Sequence, residues 1–279
     1  MQANWANLTP SVLRTLAPQD FPTLKTVVLG GESPSIREVN AWGGHTSLMN
    51  RYGPAEGCLC FNIQQSLTPS SDLSNIGYPM AGDCWVVNPT DHNKPVPIGA
   101  VGELVLGGAR IGRGYTNNPV ANAGAFIATP PSWWYYFRGN SKDTRLYKTG
   151  DLVQYASDGS LRYLGRKDFQ VKIRGQRVEI GDIENTIQQS FPWAEGVAVD
   201  LVQNGEESFS KILTAFIQVN HHGCDESSPC RPCEGGFWTL PCDGLQKELF
   251  ELEKRLQDRL PNYMVPARLL TSPCLPTNT

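Results

Sequence analysis

Residues 50–62 read NRYGPAEGCLCFN. A Gly-Pro pair turns the chain sharply, and a single carboxylate, Glu56, follows two residues after the proline. Small, apolar and sulfur side chains come next. Proline presets one turn dihedral and glycine tolerates conformations that other residues avoid, so the stretch presents one carboxylate on a turn beside a small-residue surface. What that carboxylate serves has to be read from the rest of the chain.

The 279 residues carry a formal net charge of -3. This length suits one large domain or two smaller ones with room for a core. Lys and Arg are scattered, so neither a nucleic-acid nor a membrane-surface partner is expected. No apolar run approaches the roughly 20 residues that span a bilayer. The opening MQANWANLTPSVL lacks the basic start and apolar centre of a signal peptide, so a soluble cytoplasmic protein is expected. Of the eight cysteines, Cys224, Cys230, Cys233 and Cys242 cluster near His221 and His222. One Cys-x-x-Cys containing Pro232, within a stretch rich in Pro, Gly and Ser, reads as a surface insertion rather than a zinc site.

LTPSVLRTL (8–16) predicts a short helix with Thr9 as cap and Pro10 in the first position. LKTVVLGG (24–31), CWVVN (84–88) and GELVLGG (102–108) read as strands, the last two separated by a turn-rich connection. Residues 128–144 show no clean period and read as a loop whose aromatics pack on the body. GSLRYLG and QVKIRGQRVEI add β-rich stretches on either side of residue 168. Beyond them, Ile183, Ile187 and Phe191 recur at helical spacing. GVAVDLV and KILTAFIQV are strands. Leu245, Leu249, Leu252, Leu256 and Leu260 mark one face of a helix, with Asp243 as its cap and Pro261 as its stop. The order β, α, β, β, α predicts a compact α+β domain.

Four stretches carry chemistry in a fixed order: NRYGPAE (50–56), GELVLGG…RGY (102–115), YKTGDL (147–152) and GRKDFQVKIRGQRVEIGDIE (165–184). Each alone is a common turn pattern. Together, with LTPSV…LKTVVLGGE (8–32) before them and LPNYMVP (260–266) after, they resemble the adenylate-forming enzymes. Within that superfamily they resemble the amino-acid adenylation domains of nonribosomal peptide synthetases, and fungal members in particular. The resemblance implies an α/β and α+β chain. Residues 1–167 would be the β-rich latter part of the large subdomain, and residues 168–279 a small α+β C-terminal subdomain, hinged at Asp168.

It also implies roles. Asp151 matches the aspartate that binds the ribose hydroxyls of ATP, a task suited to a carboxylate taking charge-assisted hydrogen bonds. Arg166 matches an arginine on the same ribose, and Tyr52 an aromatic lying against adenine, with Gly53 and Ala55 in the same nucleotide-binding turn. Glu56 matches a ligand of Mg²⁺, a hard cation that prefers oxygen. Ala55 stands where many relatives carry a threonine that contacts phosphate. Asn7, Val28, Gly30, Arg51, Leu59 and Cys60 fall on positions lining the amino-acid pocket. If Arg51 points inward, a carboxylate-bearing substrate follows; if it points away, the pocket is modestly apolar.

The activity implied is the conversion of an amino acid and ATP to aminoacyl-AMP and pyrophosphate. The acyl group then passes to the phosphopantetheine thiol of a peptidyl carrier domain, in a synthetase that also holds a condensation domain. The family's phosphate loop and its last catalytic lysine have no counterpart in these residues, so no catalytic residue is assigned and the isolated chain is expected to be inactive. Two other readings stand beside this one: a non-catalytic remnant that binds adenine nucleotide, and a ligase for another acyl or aryl acid.

Overall fold

The structure, a computed structural model, describes residues 2–80, 82–139, 145–168, 170–173, 175–203, 211–219, 231–232, 239–240, 242–272 and 275. These fall into two compact units, Met1–Asp168 and Phe169–Thr279.

The first unit opens with β1 (Trp5–Leu8), α1 (Pro10–Leu13), β2 (Thr26–Gly30), α2 (Ile36–Trp42) and β3 (Ser47–Tyr52). As predicted, Thr9 caps α1, its side chain accepting the Val12 N–H, and Pro10 sits where a missing N–H costs nothing. The helix is only four residues long. The three strands are parallel, and α2 makes the crossover that parallel neighbours require. Val27, Leu29 and Leu48 are buried with Leu13, Val39 and Trp42 in one core cluster. Residues two apart share a strand face, so Asn7, Val28, Gly30 and Arg51 lie together on the other one.

From β3 the sheet turns antiparallel through β4 (Asn62–Gln64) and β5 (Asn75–Pro79). It continues as β6 (Asp83–Asn88), β7 (Asp91–Pro95), β8 (Val101–Gly107), β9 (Phe126–Ile127), β10 (Leu146–Tyr155) and β11 (Leu161–Arg166). The spatial order is β1-β2-β3-β4-β5-β11-β10-β8-β6-β7, with β9 beside β10. Two corrections to the sequence reading arise here. The connection after β6 forms strand β7, because Asn88 accepts the N–H groups of Thr90 and Asp91 and so closes a tight hairpin; Pro95 is tolerated because β7 is the outer strand. Residues 132–138 are a helix, not a loop. Besides α3 (Pro119–Ala125), the unit thus contains α4 (Ser132–Arg138), started by Pro131, which buries Trp133 and Trp134 against Trp85. A run of aromatics has no helical period, so only this packing reveals the helix.

The second unit holds the hairpin of β12 (Gln170–Ile173) and β13 (Gln176–Glu179), α5 (Ile180–Ser190), β14 (Ala194–Gln203) and β15 (Lys211–Val219). The short pair β16 (Arg231–Pro232) and β17 (Thr239–Leu240), α6 (Asp243–Arg259) and β18 (Arg268–Ser272) complete it. Ile183, Ile187 and Phe191 are fully buried, with Leu245, Leu252 and Leu256 in the same cluster. Burial of this kind contributes about 1.5–3 kcal/mol per side chain. Asp243 is the first residue of α6 rather than its cap; Cys242 occupies the cap position and is buried. The sequence reading does not include β16, β17 or β18; the last runs parallel to β15 after the α6 crossover. Cys224, Cys230 and Cys233 lie outside the described residues, as do His221 and His222.

Candidate functional site

The site begins with a bulge. Across β10 and β8, Lys148 pairs with Val105 and Leu152 with Glu103, so Thr149, Gly150 and Asp151 together face only Leu104. A bulge re-aims side chains that a regular strand would alternate. Gly150 makes it possible at φ +74, and a Cβ there would lie 2.6 Å from Nη2 of Arg166. The bulge leaves no polar debt. Thr149 Oγ1 donates to the Leu104 carbonyl at 2.8 Å and accepts the Asp151 N–H at 3.0 Å, and the Gly150 N–H donates to Oε1 of Glu103 at 3.0 Å.

The bulge delivers Asp151, buried, to two partners. Tyr52 donates its hydroxyl to Oδ2. Arg166, opposite Asp151 in the β10–β11 register, donates from Nη1 to Oδ1 at 2.9 Å. The same guanidinium grips Asp168 with two bonds, Nε to Oδ1 at 2.5 Å and Nη2 to Oδ2 at 2.6 Å. Burial raises the Tyr52 pKa well above its ordinary value, and the Asp151 charge adds to that. Burial works against the Arg166 cation, but the hydrogen bonds to Asp168 and the charges of Asp151 and Asp168 outweigh it and hold its pKa above the ordinary value. The result is a fixed cluster of charge and phenol on one side of the sheet.

The pair Glu103 and Lys167, which supports the bulge, was not legible in the sequence. Glu103, only 2% exposed, accepts the Gly150 N–H on one oxygen and pairs with Lys167 through the other at 2.6 Å. The Lys167 N–H in turn donates to the Gly150 carbonyl at 2.9 Å. The motif GELVLGG contains Glu103, but nothing in its spacing says that it faces inward.

Glu56 lies on the single 3-10 turn Ala55–Gly57 that follows Pro54. Tyr115 donates its hydroxyl to Glu56 Oε1 at 2.5 Å, joining the second motif to the first. Gly53 is required by a close approach: a Cβ would sit 2.7 Å from the Leu59 carbonyl oxygen. Among the described residues no group of three or more His, Cys, Asp or Glu side chains gathers to cage a metal. One carboxylate is nonetheless the protein share usual for Mg²⁺, which keeps waters and phosphate oxygens as its other ligands. The donor set of this turn fits such a use.

Arg51 is brought to Asn7, Gly30 and Leu59. Its Nε donates to Asn7 Oδ1 at 2.9 Å and its Nη1 to the Leu59 carbonyl at 2.8 Å. Its stem crosses Gly30, where a Cβ would lie 2.6 Å from Cγ. Cys58 and Leu59 both adopt left-handed φ values, 59° and 67°, a strain that non-glycine residues bear at functional loops. Val28 shares the face of Asn7 and Gly30 and is nearly buried, and Cys60 is half-buried at the end of the strained loop.

Residues 1–116 match the family described as AMP-binding enzyme. Over 277 residues, 97% of its length, the chain is 40% identical to D-lysergyl-peptide-synthetase subunit 2 of Epichloe festucae var. lolii, of which it spans 20%. Over residues 1–116 the chain is thus similar to the AMP-binding enzyme family. Nonribosomal peptide synthetase atnA of Emericella nidulans is 39% identical over 95% of this chain and extends far beyond it, the match covering 4% of that protein. Among solved structures, PA1221, an NRPS protein containing adenylation and PCP domains, superposes with a TM-score of 0.70 at 22% identity, covering 99% of this chain and 49% of that one. The fold is thus that of AMP-binding adenylation proteins, and the chain spans a fifth or less of the two peptide synthetases it matches. Among its described residues no helix is long and apolar enough to cross a membrane.

Proposed function

We propose that this chain is the latter part of an amino-acid adenylation domain in a peptide synthetase. The domain as a whole would join an amino-acid carboxylate to the α-phosphate of ATP, releasing pyrophosphate, and hand the acyl group to the phosphopantetheine of a peptidyl carrier domain. A condensation domain in the same polypeptide would use the product. The carrying observation is Asp151 on its bulge, gripped by Tyr52 and Arg166. An ionised carboxylate so oriented is suited to take the hydroxyls of a ribose.

In this reading Tyr52, Gly53 and Ala55 form the adenine side of the nucleotide site, and Asp151 and Arg166 hold the sugar. Glu56 holds Mg²⁺, which when bound neutralises phosphate charge. Asn7, Val28, Gly30, Arg51, Leu59 and Cys60 meet the amino-acid side chain. The proposed hinge is Asp168, the last residue of the first unit, which would leave its grip on Arg166. Catalysis would rest on positioning and charge stabilisation, with no protein nucleophile.

The test is titration calorimetry of the purified chain with AMP. Saturable binding is expected, weakened about tenfold or more in Asp151→Asn, since a charge-assisted hydrogen bond is worth about 1.5–3 kcal/mol. Removing both ribose hydroxyls from the ligand should mimic the substitution. No binding, or equal binding by the variant, would overturn the nucleotide reading.

A further inference from the structure

The substrate-facing side of β1–β3 has an uneven hydrogen-bonding character. Arg51 lies across Gly30 and spends two of its five N–H donors, one on Asn7 Oδ1 and one on the Leu59 carbonyl. Both acceptors are neutral. Elsewhere in the unit Arg14 meets Glu38, Arg138 meets Asp83, Arg162 meets Asp72 and Arg166 meets Asp151, whereas Arg145, like Arg51, meets a backbone carbonyl, that of Ala109. No acidic side chain pairs with Arg51 among the described residues.

Asn7 adds to the asymmetry. Arginine is donor-only, so the Asn7 atom facing Nε must be its carbonyl oxygen, and the amide is left with N–H groups to offer. The Leu59 carbonyl likewise spends one lone pair on Arg51. What the side-chain groups of this patch present to a ligand is therefore donors and positive charge, beside the apolar Val28.

We infer that the chain selects an amino acid whose side chain ends in a carboxylate, taken by Arg51 and Asn7. This rests on the adenylation reading and deepens it. Two features favour an anion over a neutral acceptor. A guanidinium matches a carboxylate in shape and charge, and this one meets no carboxylate of the protein among the described residues. The guanidinium is also held by Asn7, Leu59 and the bare surface of Gly30, so binding spends little entropy on orienting it.

The experiment titrates the full chain, with AMP present, with glutamate against glutamine and aspartate against asparagine. The α-carboxylate is common to each pair and cancels. At least one acid should bind about tenfold or more tightly than its amide, a difference of 1.4 kcal/mol. Arg51→Met should erase the preference and Arg51→Lys should restore part of it. Should Arg51→Met unfold the chain, Asn7→Asp is the independent variant: it places a carboxylate on Arg51 within the protein and should also erase the preference. Equal affinity for acid and amide, no binding of either acid, or a preference that survives these variants would overturn the inference while AMP binding keeps the nucleotide reading intact. Failure of AMP itself to bind would overturn that reading, and the inference with it.

Discussion

Tyr52 and Asp151, 99 residues apart in the chain, share one hydrogen bond in the interior, the phenol donating to Oδ2 while Arg166 takes Oδ1. This contact ties the Gly-Pro turn that carries Glu56 to the bulge that carries Asp151. Tyr52→Phe keeps the ring and removes the donor. It should destabilise the chain by about 1–3 kcal/mol, because a buried carboxylate loses one of its donors. Denaturant unfolding of the two proteins measures the difference, and Tyr52→Phe should also weaken AMP.

Gly150 is where the bulge is most exacting. Alanine at φ +74 is strained, and its Cβ would meet Arg166 Nη2 at 2.6 Å. Gly150→Ala should cost about 1–3 kcal/mol from the backbone alone, and more from the displaced guanidinium. A melting temperature unchanged from that of the unaltered chain would show that the bulge is not needed in this form.

Glu103 and Lys167 form a buried-to-surface pair, with side-chain exposures of 2% and 35%. Both single substitutions should destabilise: Glu103→Ala orphans the buried Gly150 N–H, while Lys167→Met leaves a buried carboxylate without its counter-charge; the ammonium left by Glu103→Ala is reached by water and costs little. A double-mutant cycle should return a coupling of about 0.5–3 kcal/mol. A coupling of zero would mean that the pair does not support the Asp151 bulge.

Three tyrosines keep their protons abnormally long. Burial pushes Tyr155 and Tyr163 up to about 12, Cys84 and Asp151 respectively adding to it, and holds Tyr52 well above the ordinary value. The unfolded chain releases these protons near pH 10. The stability they provide is therefore fully present below about pH 10 and is lost as pH rises through the folded-state values. Thermal melts should be flat on this account up to pH 10 and fall steeply above it. Tyrosinate absorbance should show a late fraction that appears together with unfolding, smaller in Tyr52→Phe.

The second unit carries its own core of Ile183, Ile187, Phe191, Leu252 and Leu256. Residues 169–279 expressed alone should unfold cooperatively, and Ile187→Ala should lower that stability by about 2–5 kcal/mol. A broad, non-cooperative transition of the fragment would show that its core is insufficient by itself.

Local chemistry made much of this fold legible. Thr9 and Pro10 mark the start of α1, apolar spacing marks α5 and α6, and β-branched runs mark β2, β8 and β15. The ordered motifs around Tyr52, Glu56, Asp151 and Arg166 brought out the residues of the candidate site, because turn and strand preferences act over a few residues and leave a trace in the order of amino acids. Helix α4 left none, since its aromatics are sorted by what Trp85 needs and not by period.

What only the tertiary structure decided is which of these residues meet. Sheet order brings β11 beside β10, and the bulge against β8 turns Asp151 toward Tyr52 and hands Glu103 to Gly150 and Lys167. Parallel register sets Gly30 beside Arg51 and Asn7 beside Val28, so a guanidinium whose direction the sequence left open lies across the face of β1–β3. The physical reason is one of range: propensity and periodicity are properties of neighbours in the chain, whereas a site is made by neighbours in space, chosen by strand register and by the absence of a single Cβ.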